Sequence, residues 1–376
     1  MILIYLDYNS TTPVAPEVLE SMLPYFKTDF GNAHSAMHSY GWKASAAVDQ
    51  ARNQVAKLLN CQDSEIIFNS GATEGINTAI RGLFHKFKQY KNHIITTKSE
   101  HVAVYESCKI LESQGARVTY LDIDENGLIN LDQLSSAIEE ETFLVCIMLV
   151  NNETGVIQDF KSISHICQQK GVILMSDTTQ AIGKIPVDVQ ALGIDIAVIS
   201  AHKIYGPKGV GAIYLRRKKP RVSLIPQITG GVQEDGKRAG TLNVPGIVGL
   251  AKACELLQDW NQESILELKQ KLEIALIALG GKINGSMQQR VSNTINVSFK
   301  QNASTTLQSI KHKVAVSLGS ACSSGSGKPS RVLTYMGFDA NRVNGSIRIS
   351  LGKYTTEAEI DQTIKIFQNA LIADVS

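Results

Sequence analysis

Paired cysteines are the first thing missing. The 376 residues include six cysteines (Cys61, Cys108, Cys146, Cys167, Cys254 and Cys322), and none belongs to a Cys-x-x-Cys pair. Such isolated spacing argues against a disulfide framework and against a zinc module, so a reduced protein without a metal centre is expected. Charge of one sign is also lacking. Lys+Arg number 37 against 35 Asp+Glu, a formal +2, which excludes a strongly basic nucleic-acid binder or an acidic tail as the dominant theme. No run approaches the ~18 uninterrupted apolar residues of a membrane span. Met1 leads straight into Ile-Leu-Ile-Tyr-Leu-Asp, without the basic stretch and cleavage site of a secretory signal. With 43% hydrophobic residues there is material for a sizeable core. At roughly 150 residues per domain this length predicts two domains, in a soluble cytoplasmic protein.

What is present is alternation. Between about residues 60 and 215, short apolar runs recur at 66–68, 93–96, 117–120, 143–150, 172–175, 196–199 and 211–215. Helical stretches separate them, such as 102–114, 132–139 and 162–170. Seven strands spaced by helices predict an α/β fold with a mostly parallel sheet between helices. Near Val248 the pattern changes. A long helical stretch, 248 to roughly 279, stops at Gly280-Gly281, a good termination signal. Strand-like segments follow at 294–299, 314–317 and 346–350, then a closing helix from about 356 to 373. That region reads as a smaller α+β domain. Residues 317–330 are rich in Gly and Ser, read as a flexible loop, and contain Cys322.

Ligands of open α/β sheets bind beyond the carboxyl ends of the strands. Here those ends carry Ser70-Gly-Ala-Thr-Glu74, Glu100-His101, Asn151-Asn-Glu-Thr-Gly155, Asp177-Thr-Thr-Gln180 and Ser200-Ala-His-Lys203. The first places small residues at a helix start, a ready phosphate site, although on local sequence alone an ordinary N-cap is the simpler account. Lys203, beside a histidine and before a glycine-rich turn, suits Schiff-base chemistry. Asp177, one strand away, suits a pyridinium nitrogen. A surface lysine and a capping aspartate are the plain alternatives. Cys322 has no apolar neighbour to bury it, and a loop gives a nucleophile reach. Arg348 alternates with apolar residues on a predicted strand; turned inward it would clamp a carboxylate, turned outward it is solvated. The run Arg216-Arg-Lys-Lys-Pro-Arg221 reads as a solvated turn.

Taken together and in this order, these segments resemble the PLP-dependent cysteine desulfurases of the NifS/IscS-like family, fold type I of the class V aminotransferase superfamily. The likeness runs nearly end to end. It also includes Tyr5-Leu-Asp-Tyr-Asn-Ser-Thr-Thr-Pro13, Gly31-Asn-Ala-His34, Gly230-Gly-Val-Gln-Glu, Lys237-Arg-Ala-Gly-Thr-Leu-Asn243, Gly319-Ser-Ala-Cys322 and Ser346-Ile-Arg-Ile-Ser-Leu-Gly352. The resemblance implies a large PLP-binding domain, 14–250, and a small domain from 1–13 and 251–376 carrying a mobile cysteine loop at about 317–330. It implies that Lys203 is joined covalently to pyridoxal 5'-phosphate (PLP), that Asp177 pairs with the ring nitrogen, and that Gln180 bonds the ring hydroxyl. His101 would stack on the ring and assist proton transfers. Ala72, Thr73, Ser200 and His202 would hold the phosphate, with Thr241 reaching it from the second subunit of a homodimer. Asn152 and Arg348 would bind the substrate carboxylate. Cys322 would take the sulfur of L-cysteine as a persulfide, leaving L-alanine, and deliver it to a sulfur-acceptor protein. No membrane or direct nucleic-acid partner is expected. Iron–sulfur assembly, tRNA or DNA thiolation and cofactor sulfuration all remain open as destinations.

Two departures from the family pattern stand out. Thr178 replaces the usual small residue after the aspartate, and Lys328 stands where an acidic residue often precedes the proline. The chain stops at Ser376, without the extension some members use to engage a scaffold, so scaffold partnership is less expected than the chemistry. Competing activities are selenocysteine lyase, a fold-type-I aminotransferase or β-lyase that does not use Cys322, and a non-catalytic sulfur relay.

Overall fold

A computed structural model describes residues 3–218, 220–318 and 329–372. Its first strand, β1 (Ile4–Tyr5), finds its partner far along the chain. The next seven strands form one sheet: β2 (Ile66–Asn69), β3 (His93–Thr97), β4 (Arg117–Leu121), β5 (Thr142–Cys146), β6 (Ile173–Asp177), β7 (Ile196–Ser200) and β8 (Gly211–Leu215). Their order is β2-β8-β7-β6-β5-β3-β4. Within this sheet β8 alone runs against its neighbours, and the other pairs are parallel. The expected mostly parallel seven-stranded sheet is therefore present.

Its strands are apolar on both faces because both faces are covered. Ile94, Leu144 and Val198 pack with Ile76, Ile80 and Leu83 of the helix Ala72–Phe87 and with Val104 and Leu111 of the helix Val102–Glu112. Their immediate neighbours Ile95, Val145 and Ile199 point the other way, into a core that includes Phe160 and Ile163 of the helix Phe160–Gln169. Each fully buried aliphatic side chain of this kind contributes roughly 1.5–3 kcal/mol. The chain steps outward from β3 to β4, then inward through β5, β6 and β7, so its direction reverses between β3 and β5. A crevice opens at such a reversal.

The remaining strands are β9 (Lys282–Ile283), β10 (Thr294–Ser298), β11 (Val314–Ala315) and β12 (Ser346–Ser350). Three of them form an antiparallel sheet ordered β12-β10-β9, while β11 pairs in parallel with β1. The start of the chain is threaded between them: Leu6 donates to the Ala315 carbonyl at 2.9 Å and accepts from the Ser350 amide at 2.8 Å. It then crosses to the large sheet, where the Thr12 amide donates to the His202 carbonyl at 2.9 Å.

One expected element is different. The predicted helix 248–279 is two helices, Val244–Glu255 and Gln262–Ala278. Between them Trp260 turns into the core, and the Asn261 side chain accepts from the amides of Glu263 and Ser264, both at 3.1 Å. A new N-cap starts a new helix, and apolar spacing alone ran across it. Among the described residues no helix is long and apolar enough to cross a membrane.

Candidate active site

The carboxyl ends of β2, β6 and β7 and the residues after β3 and β5 open onto one cavity of about 510 Å³. Its walls hold Ala72, Thr73, His101, Asn152, Asp177, Gln180, Ser200, His202, Lys203 and Arg348. Ten predicted residues, scattered over nearly 280 positions of sequence, thus share one space.

At one end of the cavity β2 gives way to the helix Ala72–Phe87. Gly71, its N-cap, has φ +138° and no side chain to cap with; an L side chain is strained there. Gly211 opposes it closely, since a Cβ at 211 would lie 2.7 Å from the Gly71 Cα. The amides of the first turn consequently face the cavity at the positive end of the helix dipole. Glu74 folds back on its own turn and accepts from the Ser70 amide at 2.9 Å. Its carboxylate also pairs with Arg238 at 2.9 and 3.3 Å. Burial would raise the Glu74 pKa, but Arg238 and the Ser70 amide hold it below the usual carboxylate range.

His202 follows β7, with Nδ1 3.1 Å from the Thr11 hydroxyl. Burial, then the charges of Lys203 and Lys208, push its pKa down to about 4, so the ring is neutral. Lys203 beside it donates from Nζ to the carbonyls of Asn9 and Ser10, each at 2.6 Å. Asp177 ends β6, is buried, and accepts from the Thr179 amide at 2.9 Å. His101 caps the helix Val102–Glu112, its Nδ1 accepting from the Ala103 amide at 3.2 Å. Burial lowers its pKa, and Lys203 and Arg331 add to that against Asp177; the proton of the neutral ring then sits on Nε2.

The opposite wall is built on β12. Arg348 is 1% exposed. Its Nη1 donates to the Asn152 carbonyl at 3.1 Å, and its Nη2 to the Asp7 carboxylate and the Ser10 hydroxyl, both at 2.8 Å. Ser10 in turn donates to Asp7 at 2.6 Å. Among the described residues Arg348 Nε has no partner, a leftover buried donor at a cavity wall.

Two predicted residues remain. Thr241 is exposed and off this cavity, and Cys322 lies outside the described residues. The chain on either side of 319–328 is anchored at the cavity rim. Ser317 exchanges backbone hydrogen bonds with Arg348 at 3.0 and 2.7 Å. Ser330 donates to the buried Glu153 at 2.5 Å, and Arg331 donates to the Glu100 carbonyl. The sequence reading assigned no role to Asp7, Asn9, Ser10 or Thr11, although Asn9, Ser10 and Thr11 line the cavity. The signal was available: a polar Asp-Tyr-Asn-Ser-Thr-Thr directly after a strand-like run. Nor did it single out Glu100, Glu153 or Lys184. Among the described residues no cluster of three His, Cys, Asp or Glu could hold a metal ion.

The family model for class-V aminotransferases matches residues 4–363. The chain belongs to the class-V aminotransferase family. Among curated members it is 48% identical to the cysteine desulfurase IscS of Rickettsia bellii over 368 residues, 96% of this chain and 90% of that one. Of solved structures, a NifS-like protein superposes with TM-score 0.92 at 39% identity, covering 99% of this chain and 100% of its own. SspA in complex with cysteine gives TM-score 0.83 at 38% identity, covering 94% and 100%.

Class-V aminotransferases of this desulfurase type use PLP, and the residues present fit it. Outward amides beside Gly71, with the Ser200 hydroxyl and a neutral histidine, suit a phosphate. The buried Asp177 carboxylate suits a protonated ring nitrogen, and the Lys203 primary amine suits an aldehyde. The Arg348 guanidinium in the cavity wall suits an amino-acid carboxylate.

Proposed function

We propose that this chain is a PLP-dependent cysteine desulfurase, a sulfurtransferase that converts L-cysteine to L-alanine and carries the sulfur on Cys322. The observation that carries this reading is the meeting, in one cavity, of an amine (Lys203), a buried carboxylate (Asp177) and a buried guanidinium (Arg348). The cysteine-bound SspA relative supports the choice of substrate.

Lys203 would hold PLP through its aldehyde, and its amine would take up and return the substrate's α-proton. Asp177 would keep the ring nitrogen protonated, Gln180 would bond the ring hydroxyl, and His101 would cover the ring and relay protons. Ala72, Thr73, Ser200 and His202 would hold the phosphate. Bound PLP supplies an electron sink for the charge left at the α-carbon. Arg348, with Asn152, holds the α-carboxylate. The Cys322 thiolate attacks the substrate sulfur, so an S–S bond forms as the C–S bond breaks. The electron pair of the broken bond stays with the β-carbon, which takes up a proton to become the methyl group of alanine, and the proton taken from the α-carbon is returned to it.

Only a thiolate is a competent nucleophile. Burial pushes the thiols of Cys61, Cys108, Cys167 and Cys254 up to about 12, and it raises that of Cys146 well above the ordinary value. None of these five is suited to the attack, which supports Cys322.

In this reading the enzyme is a cytoplasmic homodimer. The exposed Thr241 reaches the partner subunit's phosphate site, and the persulfide passes to an acceptor protein, as in iron–sulfur assembly or thiolation of RNA, DNA or a cofactor. The division into a large unit, 14–250, and a small one, 1–13 and 251–376, goes with it. The threading of the first residues between β11 and β12 supports that division.

The test combines two measurements. Borohydride reduction of the PLP-loaded protein and peptide mapping should find the coenzyme on Lys203; attachment elsewhere ends this reading. Cys322→Ala should abolish alanine and sulfide formation from cysteine yet retain the visible absorbance of bound PLP. Sulfide release at the wild-type rate would remove Cys322 from the mechanism.

A further inference from the structure

Lys184 is a lysine in an unusual place. It is 7% exposed and lies four residues beyond Gln180, in the turns that follow β6. Its Nζ donates to the Asn9 side-chain oxygen at 2.7 Å and to the Gln180 side-chain oxygen. Burial, then the nearby charges of Lys203 and Arg348, holds its pKa well below the ordinary lysine value. Two N–H donors of this nitrogen are committed to these two acceptors.

The two acceptors matter because of what their other ends do. Gln180 donates from Nε2 to the Asn9 carbonyl at 2.9 Å, the same carbonyl that accepts from Lys203 Nζ at 2.6 Å. Asn9 donates from Nδ2 to the Asn152 carbonyl at 3.2 Å and to the Thr294 hydroxyl at 3.0 Å. An amide side chain can sit in either of two orientations that differ by exchange of O and N. With a donor fixed on each oxygen, the N–H faces of both amides are committed toward the residues around Lys203 and Arg348.

We infer that Lys184 is a positioning residue: it fixes the side-chain amides of Gln180 and Asn9 and, through them, the Asn9 and Asn152 carbonyls that hold Lys203 and Arg348. It touches neither cofactor nor substrate. The inference rests on the PLP-dependent reading above, and it names a part of the site that reading leaves out.

The test uses full-length protein and two variants, Lys184→Met, which keeps the length but offers no N–H, and Lys184→Gln, which restores a donor. Three properties are read: PLP affinity by equilibrium titration, the position and pH profile of the visible band of bound PLP, and the thermal midpoint of the PLP-free protein. Lys184→Met should bind PLP about tenfold more weakly, the scale of one lost buried hydrogen bond of about 1.4 kcal/mol, and should shift the band's pH profile. Lys184→Gln should recover most of both. If Lys184→Met lowers the thermal midpoint yet leaves the band and affinity of the wild type, Lys184 is only a packing residue and the inference is overturned. Equal loss in both variants overturns it as well. Failure of the wild type itself to bind PLP would instead refute the functional reading, so the two failures are distinguishable.

Discussion

The two walls of the cavity are built by different means. On the cofactor wall each polar group rides on the end of a strand or the first turn of a helix, within a few residues of the element that aims it: Thr73 after β2, Asp177 on β6, Ser200 and Lys203 after β7. On the substrate wall the groups meet through contacts of very long range. Arg348 and Asp7 are 341 positions apart, as are Asn9 and Ser350. The turn Asp7–Thr11 touches both sides, through its carbonyls to Lys203 and its side chains to Arg348. A wall of local parts tolerates loss of one side chain; a woven wall transmits the loss to its neighbours.

That contrast can be broken by experiment. The largest effect belongs to Lys203→Ala, which should eliminate turnover and covalent PLP while moving the thermal midpoint little. A collapse of the fold would show that the cofactor wall is woven too. Arg348→Ala should raise the KM for cysteine about 10- to 100-fold, the scale of a charge-assisted hydrogen bond of 1.5–3 kcal/mol. It should also destabilise the protein, since Asp7 would be left without its counter-ion; an unchanged midpoint would deny the weaving. Asp7→Asn should raise KM several-fold through a loosened Arg348 while PLP affinity stays at the wild-type value. Equal loss of PLP affinity would merge the two walls.

The smallest effect is a pH dependence on the cofactor wall. The folded-state pKa of His202 is about 4, below the ordinary 6.5, so the unfolded chain binds its proton first. Stability from this group is complete above pH 6.5 and falls as pH drops from 6.5 through about 4. His202→Asn should flatten that limb of the PLP-free protein's denaturation profile, and an identical profile would disprove the neutral ring.

Legibility in the sequence follows the same divide. The seven strands could be read because a sheet covered on both faces writes itself as short apolar runs, and the residues placed at their ends came with them. Where the fold departed from the reading, a polar side chain had overruled apolar spacing, as Asn261 did in the predicted helix 248–279. The woven wall was legible only in part. Arg348 showed itself as a charge among Ile347 and Ile349, but nothing near Asp7 or Asn9 announces partners from the opposite end of the chain, and Lys184 resembles any other lysine. Residues placed by their own element leave a local signature of their site, whereas residues placed by distant contacts show at most their polarity and not their partners.

The threading of Leu6–Asn9 between β11 and β12 sets an order of events during synthesis. Residues 4–9 lack their full set of partners until positions 313–350 have also been synthesised, a delay of roughly 15–70 s at 5–20 residues per second. The large sheet can assemble meanwhile, since its strands end at Leu215. A nascent protein can therefore hold a nearly finished coenzyme platform while the grip on the amino acid's carboxylate does not yet exist.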